Sequence, residues 1–217
     1  MILDRRALIG TGLPVLGAAA SGLVLTAAPT IARAAPLPAA EGDMAMGSPK
    51  AKVQVVEYAS LSCTHCAHWN NEVFPAFKAR FIDTGKVRYV FREFLTEPTQ
   101  FAAAGYLLAR RAGPARYFQV IDAIFKQQDA IFQTEDLWGG LLKIGKSFGL
   151  TEAQFTAALQ DKAGLDAVNA RVEKAAERDK VQFTPTFFVN GQRYEGGLPI
   201  ETFAGAIAKA QTKPGKG

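Results

Sequence analysis

Cysteine and histidine are scarce in this chain, which has two of each among 217 residues. A small fold held together by disulfides needs more cysteines than this. Both histidines, His65 and His68, lie in the same six-residue stretch as the cysteines, Cys63 and Cys66. A tetrahedral zinc ion needs four ligands around it, which one short segment can hardly supply. We therefore expect no metal site.

Clusters of basic residues are missing as well. Lys and Arg number 25 against 20 Asp and Glu, which gives a formal net charge of +5, but no Lys/Arg block is interleaved with aromatic residues. Such a block is typical of nucleic-acid binding, so we expect no nucleic acid as partner. No nucleotide or flavin motif is present either, and we expect no cofactor.

The first 34 residues predict a signal peptide. Arg5 and Arg6 precede a run without charge from residue 7 to residue 32, and the small-x-small pattern that ends at Ala34 predicts cleavage before Ala35. The paired arginines resemble a twin-arginine export signal. Export predicts an oxidising compartment, the periplasm. An uncleaved membrane anchor is the alternative, because the run is long enough to span a bilayer.

Hydrophobic periodicity predicts strands and helices in alternation. Strands are predicted at 52–58, 86–94, 186–189 and 192–195, the last two joined by an Asn190-Gly191 turn. A helix that Pro75 should kink separates the first two strands, and a crossover of this kind makes them parallel. Residues 35–50 are expected to form a loose leader.

Helical patterns fill the space between the two pairs of strands. They cover residues 102–111, 117–128, 137–148, 152–159 and 165–180, and a last helix is predicted at 200–210. Thr151 and Gln154 have the spacing of a capping box. The order of elements predicts an α/β fold with an inserted all-helical block.

The spacing of Cys63 and Cys66 is the most informative feature of the chain. A disulfide between them would close too small a loop to remove much entropy from the unfolded chain, so it would be a poor structural staple. A close, accessible pair is better suited to opening and closing, which indicates thiol–disulfide exchange. Half of a zinc site and two inert core cysteines are the alternatives.

This arrangement resembles the thioredoxin fold with a helical insertion, as in the DsbA-like family of exported thiol oxidoreductases. The resemblance covers about residues 47–211. It is carried by the Val56-Glu57-Tyr58 strand end, the segment 63–66 at the start of a helix and the segment 183–191. It implies a thioredoxin-like domain in two parts, 47–96 and 181–211, around an all-helical insertion at 97–180.

The resemblance also implies a role for each residue of the cysteine motif. Cys63 is the nucleophile, because the helix N-terminus favours its thiolate, and the more buried Cys66 resolves the mixed disulfide. His65 would stabilise that thiolate further, and Ser62 could cap the helix. His68 is expected at the surface or in packing. Thr64-His65 replaces the Pro-His of the best-known member.

Thr184-Pro185 resembles the family's loop with a cis proline that faces the disulfide, where the main chain of Thr184 would pair with an extended substrate. An ordinary trans proline is the alternative. Phe183, Phe187 and Phe188 are expected in the core, with one of them contributing to an apolar groove for unfolded chains.

Glu57 alternates with Val53 and Val55 on one strand face, which predicts that it points into the core beneath the cysteines. The family carries an acid at this spacing, so Glu57 would accept or relay the proton of Cys66. A register that places Glu57 in solvent is the alternative.

These features predict an exported, monomeric thiol-disulfide oxidoreductase. It would donate the Cys63–Cys66 disulfide to unfolded or newly secreted cysteine-containing proteins, and the resemblance implies reoxidation by a quinone-linked membrane oxidase of DsbB type. A reductase or isomerase of the same fold is one alternative. A non-enzymatic chaperone or metal-binding module is the other.

Overall fold

A five-stranded mixed sheet lies at the centre of the computed structural model, which describes residues 35–212. Its strands are β1 (Met44–Met46), β2 (Val53–Ala59), β3 (Val87–Glu93), β4 (Thr186–Val189) and β5 (Gln192–Glu195), in the spatial order β1-β3-β2-β4-β5. β2 and β3 are parallel, and β4 and β5 form an antiparallel hairpin, as predicted. The predicted signal peptide, 1–34, lies outside the described residues.

Helices surround the sheet. They are α1 (Thr64–Glu72), α2 (Phe74–Phe77), α3 (Thr99–Arg111), α4 (Tyr117–Thr134), α5 (Leu137–Ser147), α6 (Glu152–Leu159), α7 (Lys162–Arg178) and α8 (Ile200–Gln211). Helices α3 to α7 all lie between β3 and β4 in the chain, where the helical block was predicted. Within residues 35–212, no helix has both the length and the apolarity that crossing a membrane requires.

The capping box that the sequence predicts starts α6, with Thr151 and Gln154 each bonding the other's main-chain N–H. Pro75 falls in the first turn of α2, where its missing N–H does least harm, and the helix before it ends at Glu72. The predicted kink is therefore a break between two helices. A π-helical turn, Lys78–Ile82, follows α2 and was not predicted.

The expected loose leader at 35–50 is wrong, because part of it forms the edge strand β1, which pairs antiparallel with β3. Arg92 of β3 fastens this segment. Its guanidinium donates to both carboxylate oxygens of Asp43, at 2.7 and 2.9 Å, and to the carbonyl oxygen of Pro38 at 2.7 Å. Arg92 is itself buried. The Gly-, Pro- and Met-containing composition of residues 35–50 did not indicate that part of this segment is a strand of the sheet.

β2 is the central strand, and its position determines where the site lies. Val53, Val55, Val56 and Tyr58 are all buried, since the sheet carries packed elements on both faces. The chain leaves the carboxyl end of β2 and turns through residues 60–63 into α1. Both cysteines therefore lie at the carboxyl end of the central strand, where open α/β sheets commonly place functional groups.

Candidate active site

Cys63 is itself the N-cap residue of α1, so the expectation that Ser62 caps the helix is wrong. The Cys63 sulfur accepts the main-chain N–H of Cys66 at 3.4 Å. The Ser62 hydroxyl instead donates to the carbonyl oxygen of Thr96 at 2.6 Å, and the Thr96 N–H donates to Ser60 Oγ at 3.1 Å. These bonds tie the loop before the cysteines to the segment that follows β3.

The environment of Cys63 favours its thiolate. Hydrogen bonding from the Cys66 thiol is the largest cause that lowers the pKa of Cys63, to about 6, while burial acts in the opposite direction. The side chain of Thr184 and the main-chain N–H groups of Cys66 and His65 also lower this pKa. Cys63 is half-buried and carries a free thiol. It is therefore both accessible and easily ionised, which suits a nucleophile.

Cys66 has the opposite environment. It is fully buried on the inner side of α1, and burial raises the pKa of its thiol well above the usual range. The neighbouring Cys63 and Glu57 raise that pKa further, because a second negative charge beside them is unfavourable. The two sulfurs, three positions apart, therefore differ widely in acidity.

Glu57 lies in the core, as predicted, and is 2% exposed. The Tyr89 hydroxyl of β3 donates a hydrogen bond to its Oε2 atom. Burial raises the pKa of Glu57 to about 8, with a further rise from negative charge on Cys63, and the bond from Tyr89 partly opposes both. At neutral pH the carboxyl group is mostly protonated. The register that would place it in solvent is excluded.

Replacing Glu57 by Gln is expected to stabilise the protein at neutral pH. The carboxyl group titrates near 4.5 when exposed and near 8 in the fold, so the folded state holds an extra proton between these values. Stability is therefore lost as the pH rises through that window. Glu57→Gln should add about 1–3 kcal/mol at pH 7 and much less at pH 4, as urea unfolding would measure.

Glu72→Gln is the control, because it removes the same charge from an exposed position at the end of α1 and should change stability little at either pH. A Glu57→Gln protein that is less stable than the wild type at pH 7 would contradict the reasoning on burial.

The Thr184–Pro185 peptide is cis, as predicted, and the loop that contains it faces Cys63. The Cys63 thiol donates to the carbonyl oxygen of Thr184 at 3.3 Å. Phe187 is buried in the core, as expected. Phe183 is not, since 62% of it is exposed, and it lies one residue before this loop. Phe183 lies outside β4, which begins only at Thr186, so the alternation of side chains along a strand does not place it in the core.

The two histidines are both exposed. For His65, the main-chain N–H is among the groups that lower the pKa of Cys63, so this residue acts on the thiolate through its backbone. A further effect of the imidazole remains a prediction. The surface position of His68 agrees with the expectation from the sequence.

Gln128 of α4 is a residue that sequence reasoning missed. Its side-chain amide donates to the carbonyl oxygens of Leu61 at 2.7 Å and of Cys63 at 3.3 Å, and the residue is fully buried. The helical block thereby holds the backbone of the cysteine loop. The sequence did contain a signal for this role, because Gln128 is a polar residue at a core position of an amphipathic helix. A buried polar side chain of this kind needs a hydrogen-bond partner.

Gln128→Ala is expected to destabilise the protein by about 2–4 kcal/mol, because it removes the donor to the buried Leu61 carbonyl oxygen and opens a cavity. The Cys63 carbonyl oxygen keeps the main-chain N–H of Ala67 as a donor. Urea unfolding measures the loss. The neighbouring Gln127 on the same helix is only partly buried, so Gln127→Ala should cost less than about 0.5 kcal/mol. Equal losses for the two variants would contradict the role of the Gln128 amide.

Among residues 35–212, no group of three or more His, Cys, Asp or Glu side chains is placed to hold a metal ion. The arrangement at the end of β2 consists of an accessible, acidic thiol, a buried and weakly acidic thiol, and a buried carboxyl group. Such a set of groups can carry out thiol–disulfide exchange, and the carboxyl group can take up or release the proton that the exchange requires.

Comparison with known proteins agrees with this geometry. A family model described as Thioredoxin matches residues 39–209. A protein of Rickettsia bellii that is named, provisionally, a protein-disulfide oxidoreductase is 35% identical over 171 residues, which cover 78% of this chain and 65% of that protein. The disulfide bond formation protein D of Bacillus subtilis is 25% identical over 158 residues, 70% of each chain.

One of the solved structures that resemble this chain matches it over most of the length of both proteins. The crystal structure of alpha-DsbA1 from Wolbachia pipientis matches with a TM-score of 0.71 and 28% identity, covering 81% of this chain and 92% of that one. The chain belongs to the Thioredoxin family and, within it, to the DsbA-like proteins. Against the Rickettsia relative, it spans somewhat less than two thirds of the relative's length.

Proposed function

We propose that the chain is a thiol-disulfide oxidoreductase that works as a dithiol oxidase and donates the Cys63–Cys66 disulfide to other proteins. The observation that carries this proposal is the contrast between the two thiols, an accessible Cys63 of lowered pKa beside a buried Cys66 of raised pKa. A stabilised thiolate favours the reduced form of the pair, so the disulfide is a strong oxidant.

The reaction has two exchanges. A substrate thiolate attacks the Cys63 sulfur of the disulfide, the Cys63–Cys66 bond breaks, and Cys66 takes up a proton. The second substrate thiolate then attacks the substrate sulfur of the mixed disulfide, and Cys63 leaves as a thiolate. The substrate loses two electrons and gains a disulfide, while the pair gains both electrons. The low pKa of Cys63 makes it a good leaving group in this second exchange.

The surface around Cys63 suits an extended polypeptide. The carbonyl group of Thr184 already accepts the Cys63 thiol, so a substrate strand that lies along residues 184–185 would pass directly over the sulfur. The exposed ring of Phe183 offers an apolar contact beside it. Unfolded chains display both main-chain polar groups and apolar side chains, so we infer unfolded, cysteine-containing proteins as the substrate class.

The N-terminal sequence supports export to the periplasm, where such substrates would arrive with reduced cysteines. Repeated oxidation also requires that the dithiol lose its electrons again. We infer a membrane-bound, quinone-linked oxidase of DsbB type as the acceptor, on the strength of the family relationship.

Equilibration of the Cys63–Cys66 pair with glutathione tests the direction of the reaction. A dithiol oxidase should have a reduction potential above about −200 mV, since its thiolate is stabilised. A value near that of thioredoxin, about −270 mV, would favour the reductase or isomerase alternative. A Cys63→Ala, Cys66→Ala protein that retained full activity would favour a chaperone.

A further inference from the structure

Glu57 and Tyr89 form a buried pair directly under the cysteines. They lie on the adjacent parallel strands β2 and β3, where Tyr89 is paired with Val55, two residues before Glu57 on the same face. The Tyr89 hydroxyl donates to Glu57 Oε2, and both residues are almost completely buried. The ring of Tyr89 packs between Phe74 and Phe118, so the hydroxyl group has a set direction.

Within the part of the chain that the structure describes, Glu57 has no cationic partner. Among the ion pairs of residues 35–212, none includes Glu57. The titratable groups that face it are Tyr89 from β3 and the two thiols, Cys63 and Cys66, from α1 and the preceding loop. From β4, on the other side of β2, the register places the apolar Phe187 opposite Glu57.

The nearby buried tyrosines have other hydrogen-bond partners. The Tyr106 hydroxyl donates to the carbonyl oxygen of Ala59 at 2.6 Å, and the Tyr117 hydroxyl donates to Glu93 at 3.0 Å. Tyr89 is therefore the tyrosine whose hydroxyl group orients the Glu57 carboxyl group.

We propose that Tyr89 is a positioning residue for proton transfer, holding the Glu57 carboxylate where it exchanges a proton with Cys66. This inference rests on the proposed thiol-disulfide exchange. When the dithiol is oxidised, Cys66 gives its proton to the Glu57 carboxylate, the Cys66 sulfur attacks the Cys63 sulfur of a mixed disulfide, and the partner thiolate leaves. When the disulfide oxidises a substrate, Cys66 leaves and takes the proton back from Glu57.

Tyr89 also sets the pH range of this transfer. Its hydrogen bond is made to the ionised carboxylate and opposes the rise in pKa that burial causes. Without the hydroxyl group, Glu57 would become a base only at higher pH. Removing a hydrogen bond from a charged group typically moves its titration by about one to two pH units.

Reaction of the reduced protein with dithiobis-nitrobenzoate distinguishes the two thiols, because they react in two successive kinetic phases. The Cys63 thiolate attacks the reagent and releases one coloured thiolate, at a rate proportional to reagent concentration. Cys66 then displaces the second coloured thiolate from Cys63 in a first-order phase, which leaves the Cys63–Cys66 disulfide. In the wild type, this second rate should rise with pH through an inflection near 8, where Glu57 ionises.

Tyr89→Phe keeps the ring but removes the donor. The inflection of the second phase should move up by about one to two pH units, which slows resolution at pH 8 by about fivefold to fiftyfold, while the first phase is unchanged. Glu57→Gln should abolish the inflection. Tyr117→Phe is the matched control, since it removes a buried hydroxyl group that is bonded to Glu93, and it should leave the inflection in place.

An unchanged inflection in folded Tyr89→Phe protein overturns the inference and leaves the proposed function intact. A wild-type protein without a fast first phase would refute the proposed function itself. If Tyr89→Phe does not fold, Glu57→Asp tests the pair from the other side, because its shorter side chain draws the carboxylate away from the Tyr89 hydroxyl. It should show the same upward shift, and an inflection that stays near 8 would overturn the inference.

Discussion

A protein that carries Cys66→Ala is expected to accumulate covalent complexes with other proteins. Cys63 remains accessible and easily ionised, so it can still form a mixed disulfide. No second thiol is then present to displace the partner, and the complex persists. On non-reducing gels, complexes should rise from traces in the wild type to a large share of the variant protein, and reduction should release them.

The matched variant Cys63→Ala should abolish both turnover and trapping. Cys66 is fully buried and its thiol has a raised pKa, so it offers little thiolate to a large substrate. We expect a loss of exchange activity of at least about a thousandfold, measured by the oxidation of an unfolded dithiol protein. Equal trapping by the two variants would mean that the assigned roles of the cysteines are reversed.

The reduced protein should be more stable than the oxidised protein at and above neutral pH. The pKa of Cys63 is about 6 in the fold against 9.0 for an unperturbed thiol, so the folded reduced state releases its proton at lower pH than the unfolded state does. This stabilisation is complete above pH 9 and is lost as the pH falls through 6. The oxidised protein has no thiol to ionise and lacks the effect.

Each pH unit above 6 is worth at most about 1.4 kcal/mol, and the partial exposure of Cys63 reduces this to about 1 kcal/mol at pH 7. Thermal melts of both redox forms from pH 5 to pH 9 measure the difference. The gap in favour of the reduced form should widen with pH. A Cys63→Ser protein, which has no thiol at this position and cannot form the disulfide, should lack the rise in stability with pH that the reduced wild type shows. A gap that is independent of pH would remove the physical basis for a strongly oxidising disulfide.

Local patterns in the sequence predicted much of the fold. The capping box of α6, the Asn190-Gly191 turn and the alternation that buries Glu57 all depend on residues close together in the chain. The same holds for Cys63 and Cys66, because one helical turn brings the main-chain N–H of Cys66 to the Cys63 sulfur. Such features can be predicted correctly from the sequence, because no distant segment of the chain is needed to form them.

Some features that join distant segments were not predicted. The leader was expected to be loose, yet β1 docks against β3 through Asp43 and a buried Arg92, which is 49 residues further along the chain. Phe183, Phe187 and Phe188 were expected in the core, with one of them at an apolar groove, but the sequence did not indicate which one. Phe183 is the exposed one, because it precedes β4 and strand alternation does not bury it.

The sequence by itself determined the chemistry of this protein, since the two cysteines, the helix that begins between them and the acid six residues earlier all lie within one short segment. Only the tertiary structure decided how that chemistry is controlled. Tyr89 reaches Glu57 across 32 residues, and Gln128 of α4 holds the Cys63 carbonyl group across 65. Burial and hydrogen bonds between distant segments shift the pKa values of the site, and neither can be read from neighbouring residues.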